Sequence, residues 1–225
     1  MRLGRREFWP ASLIQAVSAF DLALQERRRE VVPLQWAESQ NNLGTVLLSL
    51  GQREPGTASL RRAAQAFEAA LAEATRERLP IDWATTSTNL GATLAEIGRR
   101  DRDTQSLDRA VAMLRDALTE NTRVRVPLGW AETQYYLGNA LLERGRLAGS
   151  KLDLVQARTA MTSVLDFEAN GRCSPECASG GAYRRDRCHS GRTPIGHAGL
   201  WHAKRLSFEG IFSSGMSVRQ TSRLN

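Results

Sequence analysis

Cysteine and histidine are absent from the first 168 residues. The chain has three of each, and all of them lie beyond that point. A body without cysteine fits a reducing compartment, so we expect a cytoplasmic protein. The body also lacks the thiols and imidazoles that most often act as nucleophile, general base or zinc ligand.

Nucleotide-binding strings are absent as well. Neither a GxGxxG nor a P-loop pattern occurs anywhere in the chain. The carboxylates of the body, such as Glu73 and Glu120, recur beside arginines on predicted helices and are typical of solvated or paired helix charges. We therefore expect no enzymatic activity, no cofactor and no metal in the body.

Long apolar runs and strand-like alternation are also missing. No stretch of about 18 apolar residues occurs, so no membrane span is expected. The N-terminal MRLGRREFWP is basic, but polar residues interrupt the following ASLIQAVSAFDLAL at helical spacing. This pattern predicts an amphipathic helix instead of a signal peptide. Residues 1–168 show no alternation typical of strands.

Basic charge is concentrated in the C-terminal part. The formal net charge is +7; residues 1–168 hold 22 basic and 21 acidic residues, whereas 169–225 hold 9 and 3. The high overall pI therefore describes the tail and not the body. Nucleic-acid binding by the body is not expected.

One stretch occurs three times. PLQWAESQNNLGTVL begins at Pro33, PIDWATTSTNLGATL at Pro80 and PLGWAETQYYLGNAL at Pro127, each 47 residues after the last. Self-similarity at such a period indicates a repeat array. The residues that keep this spacing are Trp36, Trp83 and Trp130; Ala37, Ala84 and Ala131; Leu43, Leu90 and Leu137; and Gly44, Gly91 and Gly138.

A second element alternates with this stretch. Apolar residues between 11 and 30 recur at i, i+3, i+4 and i+7, as on an amphipathic helix, and the pattern returns three more times at the same period. We name this element helix B and the Trp-containing stretch helix A. The sequence predicts seven helices, B-A-B-A-B-A-B, over residues 11–168, after an extension of residues 1–10.

Prolines and glycines mark positions along helix A. Pro33 and its equivalents suit the first turn, where proline loses no hydrogen bond. Gly51 and its equivalents are expected to be left-handed C-cap residues. Gly44 and its equivalents fall in mid-helix, where glycine costs roughly 0.5–1 kcal/mol relative to alanine. We expect another backbone to approach there, with Ala63 and Ala110 as partners; the alternative is a drifting repeat that tolerates glycine.

These units resemble the tetratricopeptide repeat, whose pattern is W-x2-L-G-x2-Y, then A-x3-F, then P, on a helix–turn–helix of about 34 residues. Leu43 and Gly44 supply the L-G pair, Ala63 and Phe67 fit A-x3-F, and Pro80 fits the last proline. The resemblance covers about residues 11–168. The period is longer, as in the kinesin light chain type, and the tryptophans lie four residues before the family position.

The resemblance implies an all-α solenoid, a right-handed superhelix whose A helices line a concave groove for an extended peptide or a partner helix. In peptide-binding members, asparagines on helix A hold the ligand backbone; Asn42 and Asn89 match that position, and Tyr136 departs from it. We therefore expect a protein-interaction scaffold, although these positions are also compatible with ordinary solvated helix residues. The candidate groove residues are Asn41, Asn42, Thr45, Thr88, Asn89, Tyr135, Tyr136 and Asn139.

The tail, residues 169–225, is rich in Gly, Ser and Arg and is predicted to be disordered. Cys177 also falls where a fourth Trp would continue the period, so the tail resembles a decayed or frame-disrupted A helix in a piece of a longer repeat protein. Its basic charge supports an alternative function, binding of nucleic acid or an acidic surface. Its Cys and His residues do not match the usual zinc spacings; they are Cys173, Cys177, Cys188, His189, His197 and His202.

The two ends of the predicted array carry no clear polar cap. Leu13, Phe20 and Leu24 of the first B helix match positions that pack against an A helix inside the array. Terminal repeats normally need a polar outer face for solubility. We therefore expect end-to-end self-association.

Overall fold

A computed structural model describes residues 8–170, with side chains described for 11–167. Within this range all regular secondary structure is α-helical, turns and short loops connect the helices, and no strand is present. The expected order of seven alternating helices is confirmed there. The helices are α1 (Phe8–Glu26), α2 (Pro33–Gly51), α3 (Ala58–Leu71), α4 (Pro80–Asp101), α5 (Thr104–Ala117), α6 (Pro127–Ala148) and α7 (Lys151–Asn170). The A helices are α2, α4 and α6, and the B helices are α1, α3, α5 and α7.

Each A helix begins at its proline, as the sequence predicts. Pro33, Pro80 and Pro127 occupy the first turn of α2, α4 and α6. Proline has no N–H to lose in a first turn, and its fixed φ suits the helix. None of the three N-cap residues supplies a side-chain hydrogen bond. The proline is therefore the local signal that starts each A helix.

The expected C-cap role of Gly51, Gly98 and Gly145 is wrong. These glycines are helical, and the left-handed residues come later, at Arg102 after α4 and Gly149 after α6. The three glycines instead give room to a leucine of the following B helix. A Cβ atom on Gly51, for example, would lie 2.7 Å from Cδ2 of Leu60; Leu107 and Leu154 face Gly98 and Gly145 in the same way.

The nearest neighbours of the mid-helix glycines are large side chains, although at Gly138 the backbone carbonyl of Ala157, the equivalent of Ala63 and Ala110, would also lie 3.3 Å from a Cβ. A Cβ on Gly44 would lie 2.7 Å from a ring carbon of Phe67. A Cβ on Gly91 would lie 2.6 Å from Cγ of Leu114, and Gly138 faces Met161 in the same way. Close approach at this position is therefore confirmed, but the nearest group in each unit is one bulky B-helix side chain.

The core lies between A and B helices. Each A helix packs mainly on the B helix that follows it and more lightly on the B helix before it. A-helix leucines and B-helix apolar residues interleave there. The most deeply buried are Leu47, Leu60, Phe67, Leu107, Val111, Leu114 and Leu141.

The A helices also contact one another. α4 packs directly against α6, and α2 touches α4 more lightly. Hydrogen bonds accompany both contacts, as described below. This side-by-side arrangement brings the outward sides of the three A helices next to each other.

The first and last helices are less covered than the inner ones. On α1, Ile14 and Leu22 are 55% and 62% exposed, and on α7, Leu152 and Val155 are 66% and 62% exposed. Ile14 and Val155 occupy the same repeat position, which holds Arg61 and Asp108 in the inner units. Among residues 8–170, no helix is long and apolar enough to cross a membrane.

Candidate functional site

The A helices present a polar surface on the side opposite their Leu/Gly stripe. We name it the A-helix face; its members are exposed or half-buried side chains on the first four turns of α2, α4 and α6. Because Leu43 and Gly44 point into the core, residues on the other side of the same helix point outward. The A-helix face comprises Leu34, Glu38, Asn42 and Thr45; Ile81, Asp82, Thr85 and Asn89; and Leu128, Glu132, Tyr136 and Asn139.

Asn42, Asn89 and Asn139 carry amides that are open to a ligand. All three are half-buried, and none makes a side-chain hydrogen bond with another residue of the described range. An amide both donates and accepts, so it can pair with the N–H and C=O groups of an extended chain. Thr45 is exposed, and its hydroxyl donates to the carbonyl of Asn41 at 3.0 Å.

Asn41 lies between helices and not on the A-helix face. Its Oδ1 accepts a hydrogen bond from the Thr86 hydroxyl of α4 at 3.2 Å. The bond joins two successive A helices. A groove role for Asn41 would require breaking this link.

Thr88 is buried, in contrast to its expected place in the groove. It is 3% exposed, and its hydroxyl lies 2.9 Å from that of Thr133 on α6. Thr88 also donates to the carbonyl of Ala84 at 2.8 Å. Thr88 is one repeat after Asn41, and Thr133 is one repeat after Thr86, so the same link recurs between each pair of A helices. Because Thr88 and Asn89 are adjacent residues, their side chains differ by about 100° in direction, and that of Thr88 points toward the neighbouring helix.

Asn121 completes this buried network and was not predicted. It is 2% exposed, and its Nδ2 donates to Thr133 at 3.2 Å and to Thr88 at 3.4 Å. The signal available in the sequence was the register: Asn121 is two repeats after Arg27, which donates to Ser39 at 2.8 Å. A polar residue before helix A therefore reaches the equivalent hydroxyl in both units.

Tyr135 and Tyr136 adjoin each other on α6. Their rings are 5.5 Å apart and inclined at 68°, an edge-to-face pair. Burial raises the pKa of Tyr136, with the nearby Glu132 carboxylate acting in the same direction. Tyr136 therefore remains a neutral phenol and a hydrogen-bond donor throughout the physiological pH range.

Charge is distributed unevenly along the A helices. Glu38, Asp82 and Glu132 lie on their first two turns and form no ion pair within the described residues. Basic residues of the A helices occur only near the C-terminal ends of α4 and α6, and each is ion-paired; they are Arg99, Arg100, Arg144 and Arg146. The A-helix face therefore carries three unpaired negative charges and no positive one.

The recurring tryptophans serve contacts between units. Arg29 lies over the ring of Trp36, with its guanidinium carbon 5.2 Å from the centroid, and pairs with Glu73 at 2.7 Å. Arg76 repeats both contacts with Trp83 and Glu120. In the third unit Arg123 lies over Trp130, and Phe167 stands at the position of the glutamate. These tryptophans therefore have a structural role, as the surfaces on which the loop arginines pack.

Among the described residues, no group of three or more His, Cys, Asp or Glu is placed to hold a metal ion. The cysteines and histidines of the tail, together with its predicted disorder and basic charge, lie outside the described residues. No family model, no curated protein and no solved structure matches this chain.

Proposed function

We propose that the chain is a non-catalytic scaffold that binds a protein segment on the A-helix face. In this proposal the helix pairs form a right-handed solenoid of the tetratricopeptide type, in which stacked units expose a long curved surface. The observation that carries the proposal is the set of unpaired amides on three successive A helices, Asn42, Asn89 and Asn139.

The chemistry of the surface suits an extended ligand. Amides spaced one per helix can hold backbone groups at intervals, whatever the ligand's side chains. Tyr136 adds a rigid aromatic side chain with a polar tip, which gives contact area at low entropic cost. The leucines at the start of α2 and α6 provide apolar contacts beside them.

The test removes three amides from the A-helix face. A library of random peptides is first selected for binding to the full chain. Binding of the selected peptides is then measured for Asn42→Ala/Asn89→Ala/Asn139→Ala. The matched control is Gln25→Ala/Gln65→Ala/Gln105→Ala, which removes three exposed amides from B helices.

The proposal expects at least tenfold weaker binding by the A-helix variant and unchanged binding by the control. Circular dichroism melting curves establish that both variants fold. Equal binding by the two variants, or a library that yields no binder, would show that the A-helix face is not a peptide site.

A further inference from the structure

The A-helix face differs from the rest of the described surface in its charge. Arginines are abundant on the B helices and on the loops that precede the A helices, where Arg29 and Arg76 pair with glutamates of the next unit. The first three turns of the A helices contain no basic residue at all. Their three carboxylates, Glu38, Asp82 and Glu132, form no ion pair within the part of the chain that the structure describes.

Other carboxylates of the A helices are already neutralised. Glu96 accepts hydrogen bonds from Arg99 and Arg100 at 2.6–2.9 Å, and Glu143 pairs with Arg146 at 3.1 Å. The arginines of the A helices therefore form ion pairs near the C-terminal ends of these helices and do not neutralise the A-helix face. An incoming cation would meet the unpaired carboxylates without displacing an internal partner.

Apolar side chains border these carboxylates. Leu34 and Leu128 on the first turns of α2 and α6 are 36% and 77% exposed, and Ile81 holds the same position on α4. Each A helix thus offers an apolar residue and a carboxylate near its start. The long alkyl stems of Lys and Arg can cover apolar surface while their charged ends reach a carboxylate.

We propose that the occupant of the A-helix face is an extended protein segment that carries Lys or Arg at intervals of about three residues. This rests on the proposed function and names its partner by charge and spacing. Neighbouring packed helices lie about 8–10 Å apart. An extended segment in the polyproline II conformation advances about 3.1 Å per residue and turns every third side chain to the same side. One basic side chain therefore meets each A helix, while the backbone between them meets Asn42 and Asn89.

The probes are three fluorescent peptides of about nine residues with one common sequence. They carry Lys, Gln or Glu at the first, fourth and seventh positions. Binding to the full chain is measured by fluorescence anisotropy at low and at physiological salt. The basic peptide should bind at least tenfold more tightly than the other two, and this preference should shrink as salt is added, because exposed charges are screened.

Two charge variants locate the effect. Glu38→Gln/Asp82→Asn/Glu132→Gln neutralises the A-helix face. The matched control Glu30→Gln/Asp116→Asn/Asp166→Asn removes the same charge from exposed carboxylates elsewhere that form no ion pair within the described residues. The first variant should bind the basic peptide about tenfold more weakly, because exposed ion pairs contribute modestly and three are lost. The control should bind within about twofold of the wild type.

The outcomes separate this inference from the proposed function. Three outcomes would overturn the inference that the partner is basic: equal binding of the three peptides, a preference for the acidic one, or an equal loss of affinity for the basic peptide in both charge variants. Failure of the basic peptide to bind would overturn it too. Library peptides that still depend on Asn42, Asn89 and Asn139 would then leave the A-helix face as a binding site for another kind of segment.

Discussion

The hydroxyl oxygens of Thr88 and Thr133 lie 2.9 Å apart and join α4 to α6 inside the protein. Both side chains are almost completely buried, and Asn121 donates to both hydroxyls. The equivalent bond between Asn41 and Thr86 joins α2 to α4. Successive A helices are therefore connected by one polar contact that recurs at the repeat period.

Thr133→Val should destabilise the protein by about 1–3 kcal/mol. Valine keeps the shape of threonine but removes the hydroxyl, so the Nδ2 group of Asn121 loses the shorter of its two hydrogen bonds. Urea unfolding followed by circular dichroism measures the change. Thr85→Val is the control, since its exposed hydroxyl bonds only to the carbonyl of Ile81; it should remain within about 0.5 kcal/mol of the wild type. Equal stabilities would show that the buried link contributes nothing.

Gly91→Leu should destabilise the protein by about 1–3 kcal/mol or more, because even a Cβ atom would lie 2.6 Å from Cγ of Leu114. Thermal melting measures the effect. Gly56→Leu is the matched control: nothing lies within 4 Å of a Cβ there, and its φ is not positive. Coincident melting curves for Gly91→Leu and the wild type would refute the close-packing argument.

Most of the fold could be predicted from the sequence because its period repeats. The prolines located the start of each A helix, and the recurrence of Gly44 revealed a close contact. The sequence could not reveal what fills that space. Ala63 and Phe67 both recur on helix B, and the side chain opposite a glycine depends on the rotation of one helix about its axis, which a one-dimensional pattern does not fix.

The candidate site was predicted only in part, for a related reason. Adjacent residues on a helix differ by about 100° in direction. Asn89 therefore lies on the A-helix face, whereas Thr88 turns toward α6 and is buried. Asn121 was missed because it precedes helix A in a loop, and its role arises only when two units are packed together. Whether Asn42, Asn89 and Tyr136 bind a partner stays a prediction.

Stability should fall as the pH is lowered, in part through Asp153. Hydrogen bonds from Arg144, at 2.6 and 2.8 Å, hold the pKa of this carboxyl below its ordinary value, against the opposing effect of burial. A lowered folded-state pKa means that this stabilisation is present above the unfolded pKa and is lost as the pH falls through the folded pKa. Asp153→Asn should cost about 1.5–3 kcal/mol at pH 7.

The distinguishing result is the slope of the free energy of unfolding against pH between about pH 5 and pH 2, measured by urea unfolding at each pH. Asp153→Asn should lose less stability over that interval than the wild type does. Asp166→Asn, at an exposed carboxyl with no ion pair in the described range, should retain the wild-type slope. Parallel slopes for all three proteins would show that Asp153 does not contribute to the loss of stability at low pH.

The full chain should associate at high concentration through α1 and α7. Ile14, Leu22, Leu152 and Val155 leave apolar surface open on these two helices, and such surface promotes association. Light scattering over a concentration series measures it. Ile14→Lys/Val155→Lys should lower the apparent mass toward that of a monomer. Val124→Lys/Leu128→Lys changes two exposed apolar residues elsewhere and should not. A wild-type chain that stays monomeric throughout would contradict the prediction.

The links between units have a genetic consequence. Asn41 bonds 45 residues ahead, as Thr88 does, and Arg29 pairs 44 residues ahead, as Arg76 does. Excising residues 80–126 would therefore bring Thr133 opposite Asn41, where its hydroxyl would take the place of the Thr86 hydroxyl. Recombination between misaligned copies could lengthen or shorten the gene in steps of one unit without inventing a new interface. An insertion or deletion of another length inside a helix would instead turn the residues that follow it by about 100° per residue and would misalign the links of that helix.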